Sequence, residues 1–133
     1  MSKCNSLEEV RNFFNNDKFA TENGMVIEEY GHHFAKCSFE IKTVHRNAMG
    51  NVMGGALFTL ADFTFAVAAN WENPGTVSLS SNISYNGVAK GNKVIAIAKC
   101  VKDGRSTCCY MIELTDDLGN LVATVVMNGF KKA

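Results

Sequence analysis

Apolar and polar positions alternate along most of this chain, and in one place the alternation gives way to an unbroken apolar run. From Ala35 to Ile41 the residues Ala35, Cys37, Phe39 and Ile41 fall on one face against Lys36, Ser38 and Glu40, the period of two expected of a half-buried strand. Met25 to Tyr30 reads as a strand before it. Four more strand runs follow: Thr76 to Tyr85, Lys93 to Lys102, Ser106 to Thr115 and Leu121 to Phe130, with Asp116–Asp117–Leu118–Gly119–Asn120 as a hairpin loop between the last two. Near the start, Ser6–Leu7–Glu8–Glu9 has the order of a capping box, and Leu7, Val10, Phe13 and Phe14 recur at helical spacing. The N-terminal segment, residues 1–20, is therefore expected to hold a short helix that covers another element.

The apolar run is Gly54 to Asn70, which opens on a glycine pair and carries one charge, Asp62. A helix that is apolar on every side belongs in a core or an interface. A carboxylate buried there costs several kcal/mol unless it is paired, hydrogen-bonded or protonated. Taken alone, Asp62 reads as part of the least hydrophobic stripe, with Thr59 three residues before it and Ala66 four after. One apolar helix among several strands predicts an α+β fold, an antiparallel sheet wrapped round one long central helix. One sheet cannot cover such a helix completely, so a dimer is expected.

The segment in front of the helix gives Asp62 a second meaning. His45–Arg46–Asn47–Ala48–Met49–Gly50–Asn51–Val52–Met53–Gly54–Gly55 is a polar loop punctuated by glycine that runs directly into the helix. Glycines at a helix start allow a ligand close to the backbone, and the unpaired amides of the first turn point at it with the positive end of the dipole behind them. That suits a carbonyl oxygen gaining negative charge. Asp62 lies eight residues beyond Gly54, about 12 Å along a straight helix. It is too far to serve its own helix start, whereas two antiparallel helices in a dimer bring the Asp of one chain to the amide of the other.

The run Asn47–x–x–Gly50–x–x–Met53–Gly54–Gly55, continued to Asp62, resembles the hotdog-fold acyl-CoA thioesterases of the phenylacetate-pathway type, whose pattern is Asn–x–x–Gly–x–x–His–Gly–Gly followed at the same spacing by an acidic residue. Ser78 to Tyr85, Ala89–Lys90–Gly91 and Gly104–Arg105 look like the family's later strand and turns, so the resemblance spans about residues 24–130. It implies a hotdog fold and hydrolysis of an acyl-CoA to free acid and CoA. In that reading Asp62 is general base or nucleophile and the Gly54 amide polarises the carbonyl. Asn47 holds the carbonyl or the water, Ser78 assists from the neighbouring strand, and Met53 and Gly55 line the substrate. Met53 stands where the family has His; a thioether neither donates a hydrogen bond nor carries a proton, although it supplies an adaptable apolar wall. Lys90 and Arg105, both in glycine-containing turns, are candidates for the CoA phosphates. The resemblance further implies no metal, no cofactor beyond the CoA of the substrate, and a homotetramer built as a dimer of dimers. A rival reading is a non-catalytic acyl-CoA binding or sensing module. A hotdog hydratase or dehydratase would need a His as proton acceptor, for which His45 is the candidate.

Composition narrows the remaining classes. At 133 residues and 47% hydrophobic, with no low-complexity stretch, the chain is expected to form a single domain over residues 1–133. Thirteen basic residues balance thirteen acidic ones without a Lys/Arg run, which argues against nucleic acid or an anionic membrane as partner. The polar start lacks the apolar core of a signal peptide, and the run at 54–70 is too short and carries a charge for a membrane span, so a cytoplasmic location is expected. Cys4, Cys37, Cys100, Cys108 and Cys109 are odd in number and lack metal-ligand spacing, and are expected to be small buried hydrophobes. His32–His33, after Gly31, reads as a turn pair between two strands.

Overall fold

A computed structural model describes residues 4–132. Two short helices come first, α1 (Leu7–Phe14) and α2 (Lys18–Glu22), followed by the strands β1 (Val26–Gly31) and β2 (Phe34–Glu40). The long helix α3 (Gly54–Asn70) leads to β3 (Thr76–Tyr85), β4 (Lys93–Asp103), β5 (Thr107–Asp116) and β6 (Leu121–Lys131). The strands form one antiparallel sheet in the order β1-β2-β4-β5-β6-β3. α3 packs across one face of it, the α+β arrangement expected from the strand and helix pattern and the one that the resemblance implies. Among the described residues no helix is long and apolar enough to cross a membrane.

The alternation explains why the helix settles where it does. Ala35, Cys37 and Phe39 of β2 pair directly with Ala98, Ala96 and Val94 of β4, and all six are buried beneath α3. Small side chains at the middle of this layer let the helix come close, and Leu60, Ala61, Phe65 and Ala68 fill the space from above. Tyr110, Ile112, Leu114, Val125 and Met127 extend the same core under the far side of the helix. The other face of the sheet carries Lys36, Ile97, Glu113 and Thr124.

Several expectations are corrected in detail. Ser38, on the polar face of its strand, is fully buried, since Glu28 and Lys93 pair over it and its hydroxyl donates to Glu28. The capping box closes only on one side. The Ser6 hydroxyl accepts from the Glu9 amide at 3.2 Å, but the Glu9 carboxylate reaches past Ser6 to the Asn5 amide at 2.7 Å. Of the five cysteines, Cys4, Cys37 and Cys108 are buried while Cys100 and Cys109 are only half-buried. As expected of a single sheet, α3 is not enclosed on all sides: Gly55, Thr59, Asp62, Ala66 and Ala69 form an open stripe along it. His32 and His33 do form the β1–β2 turn, with His33 in the left-handed region at φ 55°.

The two edges of the sheet are treated differently. At β1, the Arg11 side chain of α1 crosses to the strand and donates from Nε and Nη2 to the Ile27 carbonyl at 2.9 and 2.7 Å. At β3 no strand among the described residues covers the edge, and Val77, Leu79 and Tyr85 remain exposed on a ten-residue strand. A long edge strand with unpaired backbone groups is a template for another strand.

Candidate active site

The start of α3 is held by a compact loop. Arg46 and Val52 form a β-bridge that closes it, and the Asn47 side-chain oxygen accepts from the Met49 and Asn51 amides at 3.0 and 3.1 Å. Gly50 turns the chain at φ 86°, a conformation that glycine reaches without strain. Met53 N–H donates to the His45 carbonyl at 2.9 Å, and the Met53 carbonyl takes the Ala56 and Leu57 amides. Met53 occupies the N-cap position without a side-chain cap. The Gly54 and Gly55 amides consequently have no acceptor among the described residues. They stand open at the positive end of a 17-residue helix.

His45 is committed elsewhere. Its Nδ1 accepts from the Lys42 amide at 3.0 Å, so Nε2 carries the ring proton and donates it to the Asn23 carbonyl at 2.6 Å. With both nitrogens bonded and the ring 3% exposed, His45 is a fixture joining the α2–β1 turn to the loop. It offers no free proton acceptor, which removes the histidine that a hydratase would need.

Asp62 sits on the open stripe of α3 in a cavity of about 310 Å³ that Asp17, Lys18, Phe19, Phe58 and Ala66 also line. Although its carboxylate reaches the surface, the surrounding apolar side chains strip away part of its hydration and push its pKa above the ordinary value, and the Asp17 carboxylate pushes it further the same way. Asp62 accepts no hydrogen bond among the described residues, so both oxygens are available. Asp17 occupies the N-cap position of α2 but makes no side-chain cap bond. A second cavity of about 350 Å³ adjoins the first along the helix, between Phe19, Val44, Met53, Gly55, Ala56 and Thr59.

Gly54 touches the sheet. A Cβ added there would lie 3.0 Å from the ring and hydroxyl of Tyr85, whose hydroxyl donates to the Gly54 carbonyl at 3.3 Å. A Cβ on Gly55 would come within 3.3 Å of the Met53 methyl.

The structure brings Asn47, Met53, Gly54 and Gly55 together at one end of α3, and places Asp62 two turns along it. Ser78 pairs with Gly129, which faces Phe65 and Thr76, so it lies toward the opposite end of the sheet from Tyr85. Lys90 is at the Gly54 end, in the β3–β4 loop, with its backbone amide on Asp116 at 2.8 Å and its side chain in solvent. Arg105 is exposed in the β4–β5 turn, at the other end of the 11-residue β4. At about 3.3 Å per residue the separation along the strand is about 33 Å, so Lys90 and Arg105 of one chain do not meet. Sequence reasoning missed Asp17, Phe19 and Tyr85. The signals were an N-cap residue type before a short helical segment, and an aromatic at a strand end; neither has a fixed spacing from Asp62.

Comparison with known proteins gives this geometry a family. The model of the thioesterase superfamily matches residues 49–123. A putative esterase of Archaeoglobus fulgidus is 32% identical over 123 residues, covering 91% of this chain and 80% of that protein. Acyl-coenzyme A thioesterase 13 of Homo sapiens is 31% identical over 91 residues, 65% of each chain. The solved structure of the E. coli PaaI protein, from the phenylacetic acid degradation operon, superposes with a TM-score of 0.87 at 24% identity, covering 96% of this chain and 97% of that one, and so shares the fold.

Proposed function

The chain belongs to the thioesterase superfamily and is a thioester hydrolase, and we propose that its substrate is an acyl-CoA, attacked by a water that Asp62 deprotonates while the Gly54 and Gly55 amides hold the carbonyl oxygen. The observation that carries this reading is the coincidence, on one helix, of two amides without an acceptor and a carboxylate without a donor among the described residues. Amides fixed in place stabilise an oxyanion without reorganising. A carboxylate with raised proton affinity is a better base at neutral pH than an ordinary Asp.

In the reaction, the Asp62 carboxylate takes a proton as the water oxygen bonds to the carbonyl carbon. The negative charge that develops on the carbonyl oxygen falls on the two amides. Collapse breaks the C–S bond and releases CoA as thiolate, leaving the free acid. Asn47 contributes its side-chain nitrogen, since its oxygen is already used within the loop.

One chain cannot place Asp62 on its own helix start, so the site is completed by a second copy. The uncovered edge of β3 supports antiparallel pairing of two β3 strands about a two-fold axis. Such pairing sets the two α3 helices side by side in opposite directions, with each Asp62 toward the other chain's Gly54. It also turns the Arg105 end of one copy toward the Lys90 end of the other, where both can reach one CoA. Ser78, at the far end of β3 from Tyr85, then lies beside the site of the second copy.

The rival, a binding module without turnover, has one observation in its favour: Met53 puts no donor at the helix start. Thiol release from a panel of aryl, short-chain and long-chain acyl-CoAs decides between them. Turnover of at least one substrate is expected; tight binding of acyl-CoA with no turnover of any would favour the module.

A further inference from the structure

Phe19 is the most prominent side chain left unexplained. It is a large aromatic, 74% exposed, on the five-residue helix α2. Burial in the core of its own chain does not account for it. It does, however, line both cavities beside α3, and Thr59 is the other residue they share. Phe19 from α2 and Thr59 from α3 thus divide one groove into two compartments. The first contains Asp17, Lys18 and Asp62. The second contains no charged side chain, is bounded by Val44, Met53 and Ala56, and opens at Gly55 beside the free amides of the helix start.

We propose that the second compartment receives the acyl chain, and that Phe19 is the wall that sets how large that chain can be. This rests on the assignment of the Gly54 and Gly55 amides as the carbonyl site. A carbonyl oxygen on those amides has its acyl substituent at the mouth of this compartment, whose lining is apolar apart from the committed ring of His45, the amide of Asn23 and the Thr59 hydroxyl. The Thr59 hydroxyl is turned back on the Gly55 carbonyl at 2.8 Å and does not compete for substrate. Size then selects the substrate class. A dry cavity of about 150 Å³ accepts benzene, so about 350 Å³ holds an aryl-acyl group or a chain of about six to ten carbons, and a long fatty acyl chain overruns it. Met53, unbranched and flexible, forms the end of the compartment nearest the thioester and can adapt to either shape.

The test compares the parent with Phe19→Ala and Phe19→Trp, using acyl-CoAs of increasing length and aryl-acyl-CoAs for hydrolysis, and non-hydrolysable alkyl-CoA thioethers for affinity. Because Phe19 is mostly exposed, neither change removes a core contact, and both variants are expected to fold as the parent does. In the parent, kcat/KM rises with bulk to about eight carbons and falls about tenfold or more for a chain twice as long. In Phe19→Ala the preference moves to longer chains, and in Phe19→Trp to shorter ones, with thioether affinities following the same order. An unchanged size preference in both variants, in an enzyme that hydrolyses its substrates, overturns the proposal and leaves the catalytic assignment intact. A parent that turns nothing over, but whose thioether affinities shift with Phe19, overturns the catalytic assignment and keeps the compartment. No binding of any acyl-CoA or thioether overturns both.

Discussion

The hydroxyl of Tyr85, the last residue of β3, donates to the carbonyl of Gly54, the first residue of α3, at 3.3 Å. The open sheet edge and the helix start are therefore joined at one point, and whatever pairs with β3 is placed in register with the amides of α3. Adding a methyl group at Gly54 puts it 3.0 Å from the Tyr85 ring and pushes the two apart. Gly54→Ala is expected to lower kcat/KM by about tenfold, the cost of misplacing a positioned donor. Combining it with Tyr85→Ala, which vacates the space, should recover part of the loss. Kinetics of the two single variants and the double variant check this, and strict additivity would contradict the contact.

Asp62→Asn keeps the side-chain size but cannot accept a proton from water. The expected loss is in kcat, by a factor of about 10² or more, with acyl-CoA affinity and the folded state retained. Parallel measurement of hydrolysis rate and ligand affinity checks it. A variant that keeps most of its kcat would remove Asp62 from the mechanism.

Asp17 acts on the same group through charge. Loss of hydration and then the Asp17 carboxylate hold the Asp62 pKa above its ordinary value. Lys18 is the other charged side chain in that cavity. Removing the Asp17 charge lowers the proton affinity of Asp62, so the base becomes ionised at lower pH. Asp17→Asn is expected to move the acid limb of the kcat/KM profile to lower pH while retaining activity on the plateau. A limb that stays in place, or moves upward, would show that Asp17 does not act on the catalytic carboxylate.

Lys90→Ala and Arg105→Ala are each expected to raise KM by about two- to fivefold, the scale of an exposed ion pair, and to leave kcat nearly unchanged because phosphate contacts are shared by ground and transition states. The two residues lie at opposite ends of β4, so both effects appear only in a dimer whose chains share one CoA. Light scattering on each variant, run with the kinetics, tests this directly; an active monomer of 14.5 kDa would contradict it.

Asp116 provides a pH signature independent of catalysis. Its carboxylate accepts from the Asn120 side chain at 2.9 Å and from the Lys90, Asn120 and Leu118 amides, which lowers its pKa from 3.8 to about 2. A depressed carboxyl pKa stabilises the folded state above the unfolded value, and that contribution fades as pH falls from about 4 toward 2. In Asp116→Ala the midpoint of thermal unfolding is expected to be lower at neutral pH, with a shallower decline across the acid range. Parallel melting curves with equal acid slopes would refute the assignment.

The periodicity of the sequence is enough to place the six strands and the long helix, because burial on one face leaves a period-two trace and burial of a helix among strands leaves an apolar run. The bounds of α3 and β3, Gly54–Asn70 and Thr76–Tyr85, match that reading; β4 and β6 run one residue longer, and β1, β2 and β5 are shifted by one residue at both ends. The loop from His45 to Gly55 is legible as well, since glycine spacing before a helix has a local meaning. Other features depend on distance through space. Ser38 looks solvated until Glu28 and Lys93 are placed beside it, and His45 looks available until the Asn23 carbonyl fills its second nitrogen. Asp17 and Phe19 belong to the site only because α2 folds back over the open stripe of α3. The separation of Lys90 from Arg105 follows from the length of β4, which no motif encodes. Sequence determines what can be read from neighbours along the chain; the tertiary structure decides which groups from distant segments share a cavity, because loop length and packing, and not spacing, bring them together.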